Sequence, residues 1–294
     1  MKYSAILAIV IFSISAHSKV TYKWLGTSGF ALSDGSTTLI FDPAITRIPL
    51  YDFLPFRTVK SDTTEVDFWM NKCGVKSIQG TFVNHAHTDH VIDAPYVVKK
   101  YGGKLYGSSS VVNVGLGQGL IQSQVQKIKH GEAWKIGDFT ITPYNTPHAP
   151  HFLDIMLMDG HIEKPLPTPT SAWNYHVGET HSFLISHPSG TILFQAIGRV
   201  NENDVLKNTK VDVLLLTIAN RISSEQLIQK RLLPSKAKMV IPLHYDNFFF
   251  TMRRDKIIDE VWGVKVDEFK EKLNLQAKHV KAEWPKYCEQ VSVL

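Results

Sequence analysis

The feature that most constrains the fold of this 294-residue chain is a short run of metal-binding side chains. It reads His85-Ala86-His87-Thr88-Asp89-His90 and lies between an apolar stretch typical of a buried strand and the start of a helical pattern. Imidazoles two residues apart at the end of a strand can converge on one ion, and Asp89 with His90 presents a second pair on the following turn. The run therefore predicts two neighbouring metal sites.

Each ion needs three or four protein ligands, so more histidines must arrive from distant segments that also end strands. Two histidines fit: His148 follows a predicted strand over Thr140 to Tyr144, and His244 ends one over Met239 to Leu243. Asp246, two residues later, is a candidate for orienting a ligand imidazole. Neutral imidazoles with one carboxylate suit zinc best, although manganese and iron accept similar sets and stay open.

Strand-like runs follow one another directly or alternate with helical patterns, which favours a layered α/β (α+β) fold. Strands are predicted over Val20 to Trp24, Thr38 to Phe41, Gln79 to Val83, Thr140 to Tyr144, His181 to Ile185, Thr191 to Phe194, Val211 to Leu216 and Met239 to Leu243. Asp34-Gly35 and Pro188-Ser189-Gly190 each predict a hairpin turn.

A capping box at Asp62 and Glu65, with Gly74 placed to end the helix, predicts one helix between them. Other helices are predicted over Ile92 to Tyr101, Ser109 to Val114, Ser224 to Leu233 and Val264 to Leu273. A long segment between His151 and Val177 lacks periodicity and is typical of a lid or binding loop. Its methionines and aromatics, like Phe248 to Phe250, either line an apolar pocket or pack in the core.

The N-terminus has the pattern of a secretory signal over residues 1–18: Lys2, an apolar run over Ala5 to Phe12, and a small-residue cleavage site at Ala16-His17-Ser18. The apolar run is shorter than the roughly 20 residues that cross a bilayer, so we expect no stable membrane anchor after cleavage. A single domain over residues 19–294, periplasmic or secreted, is the expectation.

The charge and the cysteines narrow the possible partners. A net charge of +5 without basic runs gives no sign of a nucleic-acid partner. Cys73 and Cys288 allow at most one disulfide bond. Because Cys73 follows Val66, Trp69 and Met70 at helical spacing on a predicted buried face, we expect it to be a packed free thiol.

Together, the histidine run, the His148 and His244 segments, Leu25-Gly26-Thr27-Ser28-Gly29-Phe30 and Ile40-Phe41-Asp42-Pro43 resemble the metallo-β-lactamase superfamily, especially its lactamase-B-like hydrolases. The resemblance covers nearly the whole mature chain. It implies a four-layer αββα sandwich of two β-α halves. It also implies that His85, His87 and His148 hold a first metal, and that Asp89, His90 and His244 hold a second.

One position departs from the family pattern. The family has a metal-bridging aspartate after the strand that here reads Thr191 to Phe194, and this chain has Ile197 instead. An isoleucine cannot ligate a metal, so the resemblance implies one tightly bound zinc ion, or two with weaker occupancy of the second site. Glu202, Asp204 and His151 are candidate substitutes.

The function expected from these residues is hydrolysis of an ester, lactone, amide or phosphodiester, on a small-molecule or lipid-like substrate, by a water that the metal acidifies. Asp89 is the expected catalytic base. Two alternatives stay open: a metal-binding or sensing protein without turnover, which the missing carboxylate motivates, and an iron-dependent redox member of the same fold.

Overall fold

The computed structural model describes residues 19–151, 155–195 and 209–294. Within these residues the strands form two mixed sheets. The first sheet contains, in spatial order, β14 (Gln290–Ser292), β1 (Thr21–Gly26), β2 (Gly29–Ser33), β3 (Thr38–Phe41), β4 (Gly80–Phe82), β5 (Lys104–Gly107) and β6 (Val125–Lys127). Strands β14 to β3 pair antiparallel, whereas β3 to β6 pair parallel.

The second sheet repeats this plan. It contains, in spatial order, β13 (Lys281–Ala282), β12 (Met239–Leu243), β11 (Val213–Thr217), β10 (Gly190–Gln195), β9 (His181–His187), β8 (Phe139–Asn145) and β7 (Trp134–Ile136). Strands β7 to β10 pair antiparallel and β10 to β13 pair parallel. The C-terminal strand β14 returns to the first sheet, where it pairs with β1 and so ties the two halves together.

Helices surround the two sheets. Their bounds are α1 (Thr63–Lys72), α2 (Thr88–Val91), α3 (Ala94–Tyr101), α4 (Ser109–Gly117), α5 (Ser224–Leu227), α6 (Leu233–Ser235) and α7 (Val266–Gln276). A π-helical turn, Ile228–Leu232, joins α5 to α6, and 3-10 turns lie at Leu50–Phe53, Gln122–Gln124 and Ala172–Asn174. The α3 and α4 helices contact β4, β5 and β6, while α5 and α7 contact each other.

The α1 helix shows why these boundaries follow from the sequence. The side chain of Asp62 accepts hydrogen bonds from the backbone N–H groups of Thr64 and Glu65, which satisfies two donors of the first turn. Gly74 has a φ of 69° just after the helix, the left-handed conformation that glycine adopts most readily. The predicted N-cap at Asp62 and the helix end at Gly74 are thereby confirmed. The second half of the capping box does not form, because the backbone N–H of Asp62 donates to Thr46 Oγ1 and the Glu65 carboxylate pairs with Arg254.

Aromatic side chains fill the space between the sheets. Phe30 and Phe41 of the first sheet meet Phe183 and Phe194 of the second, with ring centroids 5.0 Å apart for Phe30 and Phe194. A smaller apolar cluster, which includes Val98 and Val111, fills the space between the first sheet and its outer helices. The predicted four-layer α/β sandwich is confirmed, and both predicted hairpins join neighbouring antiparallel strands.

The prediction of a free thiol at Cys73 is wrong. Cys73 forms a disulfide bond with Cys288, and their Cα atoms lie 4.6 Å apart although 215 positions separate them in the chain. Cys73 is buried, as the helical stripe predicts. It lies at the end of α1, however, where the segment that leads into β14 passes. That proximity depends on the tertiary fold, so the helical pattern alone could not reveal it.

The predicted signal segment, residues 1–18, lies outside the described residues. Among the residues that are described, no helix has both the length and the apolar character needed to cross a membrane.

Candidate metal centre

The candidate ligands lie at one edge of the sandwich because the strands that carry them run in the same direction. The β3 and β4 strands are parallel, so Asp42 and the His85–His90 run leave the first sheet together. In the second sheet, β8 leads to His148 and β12 to His244. Since β8, β10 and β12 all point the same way, their carboxyl ends reach the same edge.

The first ligand group contains His85, His87 and His148, whose candidate ligand atoms all lie within 4.8 Å of one another. His85 Nε2 lies 3.0 Å from His87 Nδ1. The His148 ring centroid is 4.7 Å from that of His85 and 5.0 Å from that of His87. The structure therefore brings together the three histidines that the resemblance assigns to the first metal.

The second group contains Asp89, His90 and His244, and it meets the same distance limit. Asp89 Oδ2 lies 3.1 Å from His244 Nε2 and 3.6 Å from His90 Nε2. The rings of His85 and His90 are 4.0 Å apart between centroids, so the two groups are neighbours. Residues that lie 155 positions apart in the chain, Asp89 and His244, thus share one site.

The outward nitrogens of three rings are fixed by hydrogen bonds. His85 Nδ1 donates to Asn84 Oδ1, His90 Nδ1 donates to Asp42 Oδ2 at 2.9 Å, and His148 Nδ1 donates to the carbonyl of Ala149 at 2.5 Å. A ring that donates from Nδ1 keeps a lone pair on Nε2. In all three histidines the nitrogen left free is the one that a metal would use.

Burial keeps the first group uncharged. Loss of hydration lowers the pKa of His85 and of His87 well below the usual value, and it lowers the pKa of His148 to about 4. Two neutral imidazole nitrogens that face each other at 3.0 Å repel through their lone pairs unless a cation or a shared proton lies between them. This donor set, neutral and convergent, fits a divalent metal.

The second group carries charge. Burial alone would raise the pKa of Asp89, but His90 and His244 outweigh it and hold that pKa well below its usual range. Burial lowers the pKa of His90, yet Asp89 and Asp42 outweigh it and raise the net value. The side chain of Asp89 keeps 24% of its surface exposed, so a carboxylate faces the cavity next to the imidazoles.

One candidate ligand and two residues beside the ligands adopt left-handed backbone conformations that residues other than glycine rarely take. Thr27 has a φ of 51°, Asp42 of 42° and His244 of 61°. Such residues persist where surrounding contacts hold them, and they cluster at functional sites. Here the backbone N–H of His244 donates to the carbonyl of Thr27 at 2.9 Å, which couples the two conformations.

Asp246 accepts no hydrogen bond from a ligand imidazole among the described residues, and His244 Nδ1 has no hydrogen-bond partner there, so the predicted orienting role is wrong. Its carboxylate instead accepts hydrogen bonds from the backbone N–H of Thr27, from the Arg47 guanidinium at 2.7 Å and from the Tyr287 hydroxyl at 3.0 Å. These partners come from the first half of the chain and from the segment before β14. Asp246 therefore holds the backbone around His244 through both halves of the protein.

Sequence reasoning missed two residues that fix ligands. Asp42 contacts His90 and also accepts from the backbone N–H of Asn84, while the Asn84 side chain holds His85. The signal was present in the chain, because Asp42 directly follows the β3 strand and Asn84 directly precedes the first histidine. Both positions mark strand ends at the edge where the ligands gather.

Of the candidate substitutes for the missing carboxylate, one is described. His151 lies next to the first group, with its ring centroid 5.0 Å from that of His148 and 5.3 Å from that of His87. Its Nδ1 accepts a hydrogen bond from the backbone N–H of Leu157, so the proton is on Nε2. Ile197, Glu202 and Asp204 lie outside the described residues.

A third cluster, Asp34, Asp138 and His187, lies near the opposite end of the β8 and β9 strands. His187 Nδ1 accepts a hydrogen bond from the backbone N–H of Ser189, so Nε2 carries the proton and faces Asp34 Oδ2 at 3.6 Å. A protonated ring nitrogen has no lone pair for a metal. This cluster is therefore a histidine packed against a carboxylate.

A cavity of about 920 Å³ opens above the two ligand groups. His87, Asp89, His90, His148, His151 and His244 line its floor. Most of the remaining lining residues are apolar, among them Ile48, Phe53, Met158, Phe248 and Val264. The size falls within the range of small-molecule binding sites.

No family model matches the chain. A UPF0173 metal-dependent hydrolase of Pyrobaculum arsenaticum is 24% identical to it over 229 residues, which are 77% of this chain and 84% of the relative.

Two solved structures share the fold. A metallo hydrolase from Ignicoccus hospitalis matches 93% of this chain and 97% of its own, with a TM-score of 0.56 and 18% identity. The metallo-β-lactamase fold protein YhfI of Bacillus subtilis matches 93% of this chain and 99% of its own, with a TM-score of 0.57 and 12% identity. The likeness extends over nearly the whole chain in both cases.

Proposed function

From a metallo-β-lactamase fold with two ligand groups at its edge, we propose that this protein is an exported zinc-dependent hydrolase of uncharged esters, lactones or amides. The observation that carries the proposal is the convergence of His85, His87 and His148 beside Asp89, His90 and His244. The relatives that bear the name metal-dependent hydrolase support the same reaction class.

Zinc is the metal that best suits three neutral imidazoles, and in such a site it supplies an acidified water and a Lewis acid. In the first group, burial keeps the imidazoles unprotonated, so their lone pairs are available at neutral pH. In the second group, the low pKa of Asp89 leaves a carboxylate facing the cavity floor. One tightly held ion in the first group is enough for the reaction, and the second group admits another.

Asp89 is the proposed base, because its carboxylate is ionised and adjoins both ligand groups. It orients the attacking water and takes up its proton. His151 is the proposed hydrogen-bond donor to the substrate, since its Nε2 carries the proton and its ring lines the cavity next to His87 and His148. A donor at this place would stabilise negative charge as it develops on the substrate oxygen.

Export is the second part of the proposal. The first 18 residues have the pattern of a cleaved secretory signal. The Cys73–Cys288 disulfide supports an oxidising compartment such as the periplasm, because such bonds are rare in the cytosol. Cell fractionation with intact-mass measurement tests it: we expect the protein in the periplasm or medium, shortened by the signal, and a full-length cytosolic product would contradict export.

The Asp89→Asn variant tests the hydrolase. We expect kcat on an activated ester or amide to fall by about 100-fold or more, because the base is lost together with a candidate ligand. Asp138→Asn is the matched control, since that carboxylate is exposed at the opposite end of β8. Zinc content is measured on both variants and the parent by elemental analysis, and a chelator should abolish turnover reversibly.

Equal turnover by Asp89→Asn and the parent would contradict the assigned role. Bound zinc without turnover on any ester, lactone or amide would contradict hydrolysis and favour a binding or sensing protein. Iron in place of zinc would favour redox chemistry.

A further inference from the structure

The walls of the cavity above the ligand groups indicate which substrates it accepts. One wall is formed by the 3-10 turns Leu50–Phe53 and Ala172–Asn174. The two turns pack together, because the Trp173 indole N–H donates to the carbonyl of Phe53 at 2.8 Å and the two rings meet edge to face. This wall therefore presents the apolar side chains of Leu50, Phe53 and Trp173 to the cavity, and the contact between the two turns holds them in place.

The opposite wall is formed by the loops at residues 219–223 and 261–265. Arg221 joins them, since its guanidinium donates to the carbonyls of Ile218 and Lys265 and pairs with Glu268 at 3.1 Å. Nearer the ligands, the Phe248 ring lies 5.1 Å from that of His244, between centroids. The second wall is thus held in place, and it presents Ile222, Trp262 and Val264 to the cavity beside polar residues such as Asn220 and Ser223.

The rim of the cavity carries large apolar side chains as well. Ile222 is 76% exposed and Trp262 is 97% exposed on one side, and Leu50 is 65% exposed on the other. All three line the cavity. Large apolar side chains that are exposed together around a cavity mark a surface that binds an apolar partner.

The cations of the described walls are already neutralised. Arg47 is paired with Asp246 at 2.7 Å and Arg221 with Glu268. Lys265 is the remaining cation among the described lining residues, and it lies exposed at the rim. Away from the ligand groups, a charged part of a substrate would meet no unpaired buried cation among the described lining residues, whereas an alkyl chain would meet apolar side chains such as Ile222, Trp262 and Phe248.

We infer that the substrate is a neutral amphiphile whose ester or amide bond lies at the ligand groups and whose acyl or alkyl chain occupies the apolar cavity. The inference rests on the proposed hydrolase function. The chain stabilises the bound substrate by removing apolar surface from water, and the polar head remains near Asp89 and His151.

The test is a series of p-nitrophenyl esters, from acetate through butanoate to octanoate, with zinc-loaded protein and below the concentration at which the esters aggregate. We expect kcat/KM to rise about two- to fourfold per methylene. In the Ile222→Ala/Trp262→Ala variant, the octanoate-to-acetate ratio of kcat/KM should fall by about tenfold or more. Ile121→Ala, which removes a side chain that is also largely exposed but does not line the cavity, should leave the ratio unchanged.

Binding of dansyl-undecanoic acid, followed by fluorescence with and without zinc, separates this inference from the hydrolase proposal. We expect the double variant to bind it at least fivefold more weakly than the parent and the Ile121→Ala control. Turnover that is equal for all chain lengths, with equal probe binding by all variants, would overturn the acyl substrate and leave the hydrolase. Probe binding that the rim variant weakens, without turnover of any ester, would support an acyl ligand and overturn the hydrolase.

Discussion

Three of the five candidate histidine ligands are oriented by a group that directs their second ring nitrogen away from the ligand group. Asn84, Asp42 and the carbonyl of Ala149 do this for His85, His90 and His148. The acceptors differ in charge, because only Asp42 is a carboxylate. A carboxylate raises the basicity of the ring that it holds more than an amide or a carbonyl does. His90 should therefore depend most on its partner.

We expect Asp42→Asn to weaken zinc binding at the second ligand group by about tenfold or more, because losing the carboxylate that holds a ligand imidazole typically costs about 10–100-fold in metal affinity. Titration against a chromophoric chelator measures both binding steps. Asp93→Asn is the control, since Asp93 is equally buried but binds Thr46 and Ser61 instead of a ligand. If both variants bound zinc equally well, Asp42 would have no such role.

At the scale of elements, the sequence predicts the parts of the fold with strong local patterns. The strands over 38–41 and 239–243 have the predicted bounds, and α1 has its predicted cap. The short strands β5, β6, β7, β13 and β14 were missed. Each has two to four residues and at least one exposed position, so pairing with neighbouring strands determines them more than their own sequence pattern does.

The candidate ligands followed from residue type and strand ends, together with a family resemblance, and the structure gathers all six. The sequence could not predict contacts between distant segments that carry no recognisable motif. Asp246 reaches Thr27, which lies 219 positions away, and Cys73 reaches Cys288. Neither pair has a periodic signature, because only the packing of the two halves brings them together.

The disulfide bond joins the end of α1 to the segment before β14. Replacing both cysteines, as Cys73→Ala/Cys288→Ala, should lower the free energy of unfolding by about 2–4 kcal/mol, because the bond restricts a long loop in the unfolded chain. Urea denaturation measures the change. Reductant should lower the stability of the parent towards that of the variant and leave the variant unaffected, whereas equal stability of both proteins without reductant would contradict the prediction.

At the scale of the whole molecule, the two halves meet at a buried ion pair as well as between the sheets. Arg47 belongs to the first half and Asp246 to the second, and their side chains are 2% and 0% exposed. Breaking a buried pair by removing one partner is costly, because the other charge remains without compensation. The stability of the contact between the two halves therefore depends on both charges.

We expect Asp246→Asn to lower the free energy of unfolding of the metal-free protein by about 3–5 kcal/mol, and Arg47→Met/Asp246→Asn to lower it less, since the double variant leaves no unpaired charge. Urea denaturation of the parent and both variants measures these free energies of unfolding and shows whether they fall in this order. Asp255→Asn, which breaks the exposed pair with Arg253, should have no measurable effect. A double variant less stable than the single one would show that the guanidinium acts by packing alone.

Each ligand group takes members from both sheets: His148 completes the first and His244 the second, while the others follow β4. Neither half alone can offer a full set, so high-affinity capture of an ion requires the halves to have docked. Zinc uptake would then report the final step of folding, and a nascent chain would gain its second set only after residue 244 had been synthesised. An ion bound in this way connects the two halves of the sandwich. The melting temperature of the protein should therefore rise with the zinc concentration.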